Sequence, residues 1–178
     1  MKRILFFGLV ALFLSSCGTQ LKPFTQKMYE EYGWSERDLQ SVQFYVSRDI
    51  VLEKKAMDNI TAIKDGKIKV IEDKVIEKLV IKRGTPGSLL FMPKENRLAV
   101  SFDDNNNKYL IFGASQKNQG KFMLFAKDWD RNRGVMTYDG QTYYTTSASA
   151  MAYLMVDIRE AAKVKVSNQV APGRKVMK

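Results

Sequence analysis

The sequence predicts a mainly β protein: an antiparallel β-sandwich or open barrel of about ten short strands with a short N-terminal helix. Three observations carry this expectation. Apolar residues recur at every second position in several segments, which leaves one face dry and one wet, as antiparallel sheets require. Two Asp-Gly pairs, Asp65-Gly66 and Asp139-Gly140, stand between such segments and suit the two positive φ angles of a two-residue hairpin turn. Polar clusters at Asp103 to Asn107 and Lys117 to Gly120 provide further strand connections.

Composition removes whole classes of function. Of 178 residues 45% are hydrophobic and 27% charged, which excludes a disordered or collagen-like chain. The absence of histidine excludes Ser-His-Asp and Cys-His catalysis and His-ligated metals. A single cysteine excludes an intramolecular disulfide and a CxxC pair.

At the front, Lys2 and Arg3 precede an apolar run from Ile4 to Leu14. Eleven residues fall short of the roughly 20 that span a bilayer as a helix. They match the apolar region of a secretory signal peptide. The run ends in Leu14-Ser15-Ser16-Cys17-Gly18.

That ending resembles the lipobox of bacterial lipoproteins. The resemblance covers about the first eighteen residues. It implies a diacylglyceryl thioether on Cys17, removal of residues 1–16 and acylation, as by palmitate, of the new amino terminus. Removing those 16 residues leaves 162 of the 178 and takes away Lys2 and Arg3, so the net charge falls from +10 to +8. Lipid chains anchor firmly, each buried CH₂ contributing about 0.8 kcal/mol. Gly18 in place of Asp implies, by the family's sorting pattern, an outer-membrane lipoprotein. With no acidic cluster after Cys17, a periplasm-facing position is expected. The division that follows is a signal peptide over 1–16, acylated Cys17 and tether over 17–23, one β-rich domain over 24–170 and a basic tail over 171–178.

Along the domain, Phe24, Met28 and Tyr32 are spaced as one face of a helix that Gly33 would stop. Ser35, with Asp38 three places on, suits the start of a second helical turn. From Val42 the period becomes two: Val42, Phe44 and Val46 point one way, and Ile50 and Leu52 continue the pattern. Ile68 and Val70, then Leu98, Val100 and Phe102, then Ala162, Val164 and Val166 alternate in the same manner. Val70 to Lys82 carries both helical spacing and a surplus of Val and Ile; the adjacent turn favours strand. Met151 to Ala162 carries the same ambiguity. With two-residue turns, Ile63 should face Ile68, Met136 should face Tyr143 and Thr137 should face Thr142.

Chemical motifs are few. Asp128, Asp130 and Asn132 alternate like the start of a calcium loop, but Arg133 stands where that loop needs glycine and Asp139 where it needs glutamate. Asp128 with Asp130 and Glu30 with Glu31 are paired carboxylates, yet sequence neighbours are no sign of a glycosidase cleft. The mature chain has no Ser-x-x-Lys. Gly84-Thr85-Pro86-Gly87 lacks the Gly-Lys-Ser/Thr ending of a phosphate loop. No catalytic set, metal or cofactor is expected.

Aromatic residues gather late in the chain, at Phe122, Phe125, Trp129, Tyr138, Tyr143, Tyr144 and Tyr153. Trp129, Tyr138, Tyr143 and Tyr144 are the candidate contact residues, because such rings offer flat area with a polar edge. Alternation puts Tyr143 and Tyr144 on opposite faces. Lys67, Lys69, Lys78 and Lys82 read either as a docking patch or as guards of a sheet edge, with the guard favoured. Nucleic acid is not an expected partner of an exported, lipidated chain; anionic lipid and an envelope protein are. The expected function is thus a lipid-anchored cell-envelope binding protein, an accessory of an envelope assembly. A glycan- or small-ligand binder is the alternative, ahead of a histidine-free hydrolase.

Overall fold

The structure, a computed structural model, describes residues 20–55, 61–64, 67–70, 75–130 and 133–164. Cys17, Asp65-Gly66, Asn132 and the tail over 171–178 lie outside them. The described chain is a β-sandwich of two antiparallel sheets, of seven and five strands.

The front of the domain is built by local signals. Strand β1 (Leu21–Pro23) takes residues expected to be tether and pairs them with β14 (Leu154–Asp157). Phe24 therefore ends a strand and does not begin a helix. Thr25 caps α1 (Gln26–Tyr32) by accepting from the Met28 amide, and Gly33, at φ 60°, closes it in the left-handed conformation. Ser35 and Asp38 form a reciprocal capping box at the start of α2 (Glu36–Gln40). The two Ser35 hydrogen bonds hold the Asp38 carboxyl below its ordinary pKa.

Strand β2 (Phe44–Val46) buries Phe44 and Val46, with Val42 just before it. Then come β3 (Ile50–Lys55) and the hairpin of β4 (Thr61–Lys64) with β5 (Lys67–Val70). In that hairpin Ile63 faces Ile68, the register of a two-residue connection. Strand β6 (Val75–Ile81) makes the second half of the ambiguous stretch a strand; residues 71–74 lie outside the described set. It is followed by β7 (Pro86–Lys94), β8 (Arg97–Ser101), β9 (Tyr109–Ser115), β10 (Lys121–Leu124), β11 (Asp128–Asp130), β12 (Arg133–Tyr138) and β13 (Gln141–Thr145). Helix α3 (Ser147–Ala150) precedes β14, and α4 (Ile158–Ala161) follows it. The strand expected from Ala162 is instead a helical turn as far as Val164: Ala162 and Val164 donate to the carbonyls of Ile158 and Ala161. Its continuation past Val164 lies outside the described residues.

At the second Asp-Gly pair, Asp139 (φ 50°) and Gly140 (φ 68°) supply the two left-handed residues of a type I′ turn. Met136 accordingly faces Tyr143, and Thr137 faces Thr142.

The larger sheet runs β1-β14-β2-β7-β8-β9-β10, and the smaller runs β11-β12-β13-β3-β6. The larger sheet curls until its ends meet. Single bridges join Thr25 to Lys121 and Met123 to Tyr153, and the Phe122 and Leu124 amides donate to the carbonyls of Phe24 and Ala152. Curling hides edges that would otherwise pair with another chain. The curl encloses Phe24, whose ring lies 4.9 Å from Phe122, 5.2 Å from Phe44 and 6.1 Å from Trp34. Ile50, Leu52, Met136, Tyr138 and Tyr143 from the smaller sheet join the same hydrophobic core.

Candidate functional site

The strands that line the core alternate, so their other face is fixed too. In β8 Leu98 and Val100 are wholly buried, which turns Arg97 outward. In β9 Leu110 and Phe112 point inward, which puts Tyr109, Ile111 and Gly113 on the outer face beside it. Ala99 faces Ile111, and Arg97 faces Gly113, across the β8–β9 ladder.

Strand β7 joins this face by breaking its own rhythm. Leu89 pairs with Val100 and is buried, while Phe91, two residues on, pairs with Ala99, one residue back on β8. The extra residue is a β-bulge at Leu90, whose carbonyl accepts from Gln40 of α2. Strict alternation would send Phe91 into the core with Leu89. The bulge sends it outward, 37% exposed, with its ring edge-to-face against Tyr109 at 5.2 Å. A second register shift between Phe91 and Lys94 sets Lys94 opposite Arg97.

The other wall is the connection between the sheets. The Phe125 amide donates to Ile111 of β9, and the Lys127 amide donates to Val135 of β12, both at 2.8 Å. These two bonds place Phe125 and Lys127 at the seam. The result is an open groove of about 390 Å³, lined by Phe91, Tyr109, Ile111, Phe125 and Met136 together with Lys94, Arg97 and Lys127.

Its electrostatics are one-sided. No carboxylate lines the groove, and no ion pair engages Lys94, Arg97 or Lys127 among the described residues. The Arg97 guanidinium lies over the Phe125 ring, 3.2 Å from its centroid, and burial pulls its pKa below that of an ordinary arginine. Some cations elsewhere are paired with carboxylates. Lys78 pairs with Glu53 at 3.7 Å, and Lys82 with Asp49 at 3.3 Å. Lys78 stands in β6, at the edge of the smaller sheet; the side chains of Lys67 and Lys69 lie outside the described set.

The four aromatic candidates separate. Trp129 is 51% exposed and lines an adjoining hollow with Met151, Phe125 and Arg97. Tyr138 and Tyr143 are core residues, 6% and 4% exposed, with rings edge-to-face at 6.0 Å. Burial excludes both as contacts and pushes their hydroxyls above the ordinary pKa; nearby Asp103 and Asp139 add to this for Tyr138, and the bond to Glu77 adds to it for Tyr143. Tyr144 lies on the opposite face, half-buried, with the Arg133 guanidinium 5.8 Å from its ring. It is not part of the groove.

Of the calcium candidates, Asn132 and the side chain of Asp130 lie outside the described set. Asp128 and Asp130 stand in β11 and pair with Val135 and Arg133 of β12, and the Asp128 carboxylate accepts from the Trp129 amide at 2.7 Å. Among the described residues no three His, Cys, Asp or Glu side chains gather as metal ligands. Phe91, Lys94, Arg97 and Lys127 escape sequence reasoning, because a bulge and two inter-sheet hydrogen bonds bring them together and no spacing announces either.

The chain matches no family model, no curated protein and no solved structure. What the groove does has to be argued from its own chemistry.

Proposed function

We propose that this is a lipid-anchored outer-membrane protein, facing the periplasm, that acts by binding as an accessory component of an envelope assembly. Its docking site for a partner protein is the groove between Phe91 and Phe125. One observation carries the reading: aromatic side chains stand exposed around three cations, and among the described residues no carboxylate lines the groove with them. Aromatic residues and Arg are the groups that concentrate at protein interfaces, and a charge of one sign selects partners of the other. The lipobox residues around Cys17 support the anchor.

Site-specific photo-crosslinking in native membranes tests it. A photoreactive residue at Phe125 should capture one or two envelope proteins in near-stoichiometric amount, and the same residue at exposed Lys27 of α1 should not. Arg97→Glu should abolish the capture, and Cys17→Ala should weaken it by releasing the protein from the membrane. Equal capture from both positions, or none from Phe125, refutes the docking role.

A further inference from the structure

The groove is the middle of something longer. Arg97 and Phe125 also wall a hollow of about 370 Å³ that reaches Trp129 and Met151. Tyr109 and Thr137 also wall a third hollow, of about 320 Å³, at Asn107, Asp139 and Gly140. Three depressions with shared walls form one trough along the seam of the sandwich. Its apolar floor and its cations occupy the first two, and the single carboxylate that lines it among the described residues, Asp139, stands at the far end.

A trough favours an extended chain, and charge selects which. Lys94, Arg97 and Lys127 have no acidic neighbour in the lining, so they call for anionic groups on the occupant. A glycan needs open aromatic faces to stack on. Here one face of Phe125 is taken by Arg97 and Phe91 packs edge-to-face with Tyr109, which leaves Trp129 as the open ring, a single platform at one end of the trough. An acyl chain needs an enclosed channel, and this surface is open along its length. An extended polypeptide suits both demands, because successive side chains can alternate between apolar hollow and cation.

We propose that the trough takes an extended acidic segment of the partner protein, with an apolar side chain seated between Phe91 and Phe125 and carboxylates on Arg97, Lys94 and Lys127. The proposal rests on the docking role argued above and narrows it to one partner chemistry. Trp129 contacts the segment at one end, and at the other the segment stops at Thr137, short of Asp139.

The test uses the full lipidated chain in mild detergent and a fluorescein-labelled peptide of about nine residues, roughly 30 Å extended, in which Asp alternates with Phe and Leu. Binding is followed by fluorescence anisotropy. Replacing every Asp of the peptide by Asn should weaken binding about tenfold or more, as should the double change Lys94→Gln, Lys127→Gln at these exposed positions. Trp129→Ala should weaken the long peptide and leave a four-residue version, which covers one hollow, unchanged. Equal binding of the Asn peptide overturns the proposal. So does tighter binding of oligogalacturonate, or of phosphatidylcholine vesicles containing phosphatidylglycerol. If the Phe125 crosslink to an envelope protein persists while the acidic peptide fails, the docking role stands and only the acidic segment falls. Loss of both removes both.

Discussion

Arg97 rests its guanidinium 3.2 Å from the centroid of the Phe125 ring, and it can do so because Gly113 faces it across the β8–β9 ladder. A Cβ on Gly113 would lie 3.0 Å from Arg97 Cδ and 3.1 Å from Nε, so a glycine leaves the space in which the arginine lies flat. The stack stiffens the centre of the trough while leaving the cation at its surface. A double-mutant cycle of Arg97→Leu and Phe125→Leu, read by urea unfolding, should give a coupling of about 0.5–1 kcal/mol. Repeated with Gly113→Ala as background, the cycle should give a smaller value, since the methyl group displaces the arginine. A coupling unchanged by that alanine would show that Gly113 does not seat the stack.

Tyr143 makes a second relationship testable, this time by pH. Its hydroxyl donates to Glu77 of β6 at 3.0 Å from a buried ring. Burial and the nearby carboxylate raise its pKa above the ordinary 10.0, and burial with the charges of Asp103 and Asp139 does the same for Tyr138. Below pH 10 both tyrosines keep their protons whether folded or not, so the linkage is silent. Above it the unfolded chain loses those protons first, and stability falls as pH rises through the folded-state values. Absorbance titration of the native protein should find two of the eight tyrosines ionising late, together with alkaline unfolding. Tyr143→Phe should cost about 1 kcal/mol at neutral pH, the net contribution of a hydrogen bond whose exposed partner regains water, and should flatten the alkaline decline. Identical slopes for the two proteins would remove Tyr143 from the account.

How far the sequence foretold this molecule depends on the range of the forces involved. Local rules placed the capping box of Ser35 and Asp38 and the pairing of Met136 with Tyr143, because caps and two-residue turns are settled within a few residues. Alternation correctly set Tyr143 and Tyr144 on opposite faces. It could not say that Tyr138 and Tyr143 fill the core, because which face is buried depends on strands far away in the chain. Phe91 was illegible for a sharper reason. The bulge at Leu90 inverts its parity, so the period that predicts the strand mispredicts the residue that matters most in the groove.

Trp129, the one sequence candidate that lines the trough, has its position controlled by a glycine across the β11–β12 ladder. A Cβ on Gly134 would stand 2.7 Å from Ala126 Cβ, 3.0 Å from Thr145 Cγ2 and 3.7 Å from the Trp129 ring. The first of these is too close for any real pair of carbon atoms, and both near neighbours are short side chains that cannot swing aside. Gly134→Ala should destabilise by about 1–3 kcal/mol, the usual cost of overpacking. It should also shift the emission maximum of Trp129, which the exchange Trp34→Phe isolates because the chain has two tryptophans. A neutral effect on both readouts would mean that β11 rides up without resistance.

Phe24 ties the front of the chain to the core. It is fully buried beside Phe44 and Phe122, and its backbone bonds to Leu154 on one side and Phe122 on the other, so it sits where the larger sheet closes on itself. It also stands seven residues after Cys17, close behind the proposed lipid. Phe24→Ala should therefore cost about 3–5 kcal/mol, the loss expected for emptying a wholly buried phenylalanine site. The effect should spread along the closure: amide hydrogen exchange at Phe122 and Leu124, whose bonds cross the seam, should speed up more than exchange at Leu98 or Val100 in the middle of the sheet. Phe24→Leu, which keeps most of the volume, should recover much of the loss. Uniform acceleration across all four amides would mean that the sheet opens as one unit and that the seam at Phe24 is no weaker than its other ladders.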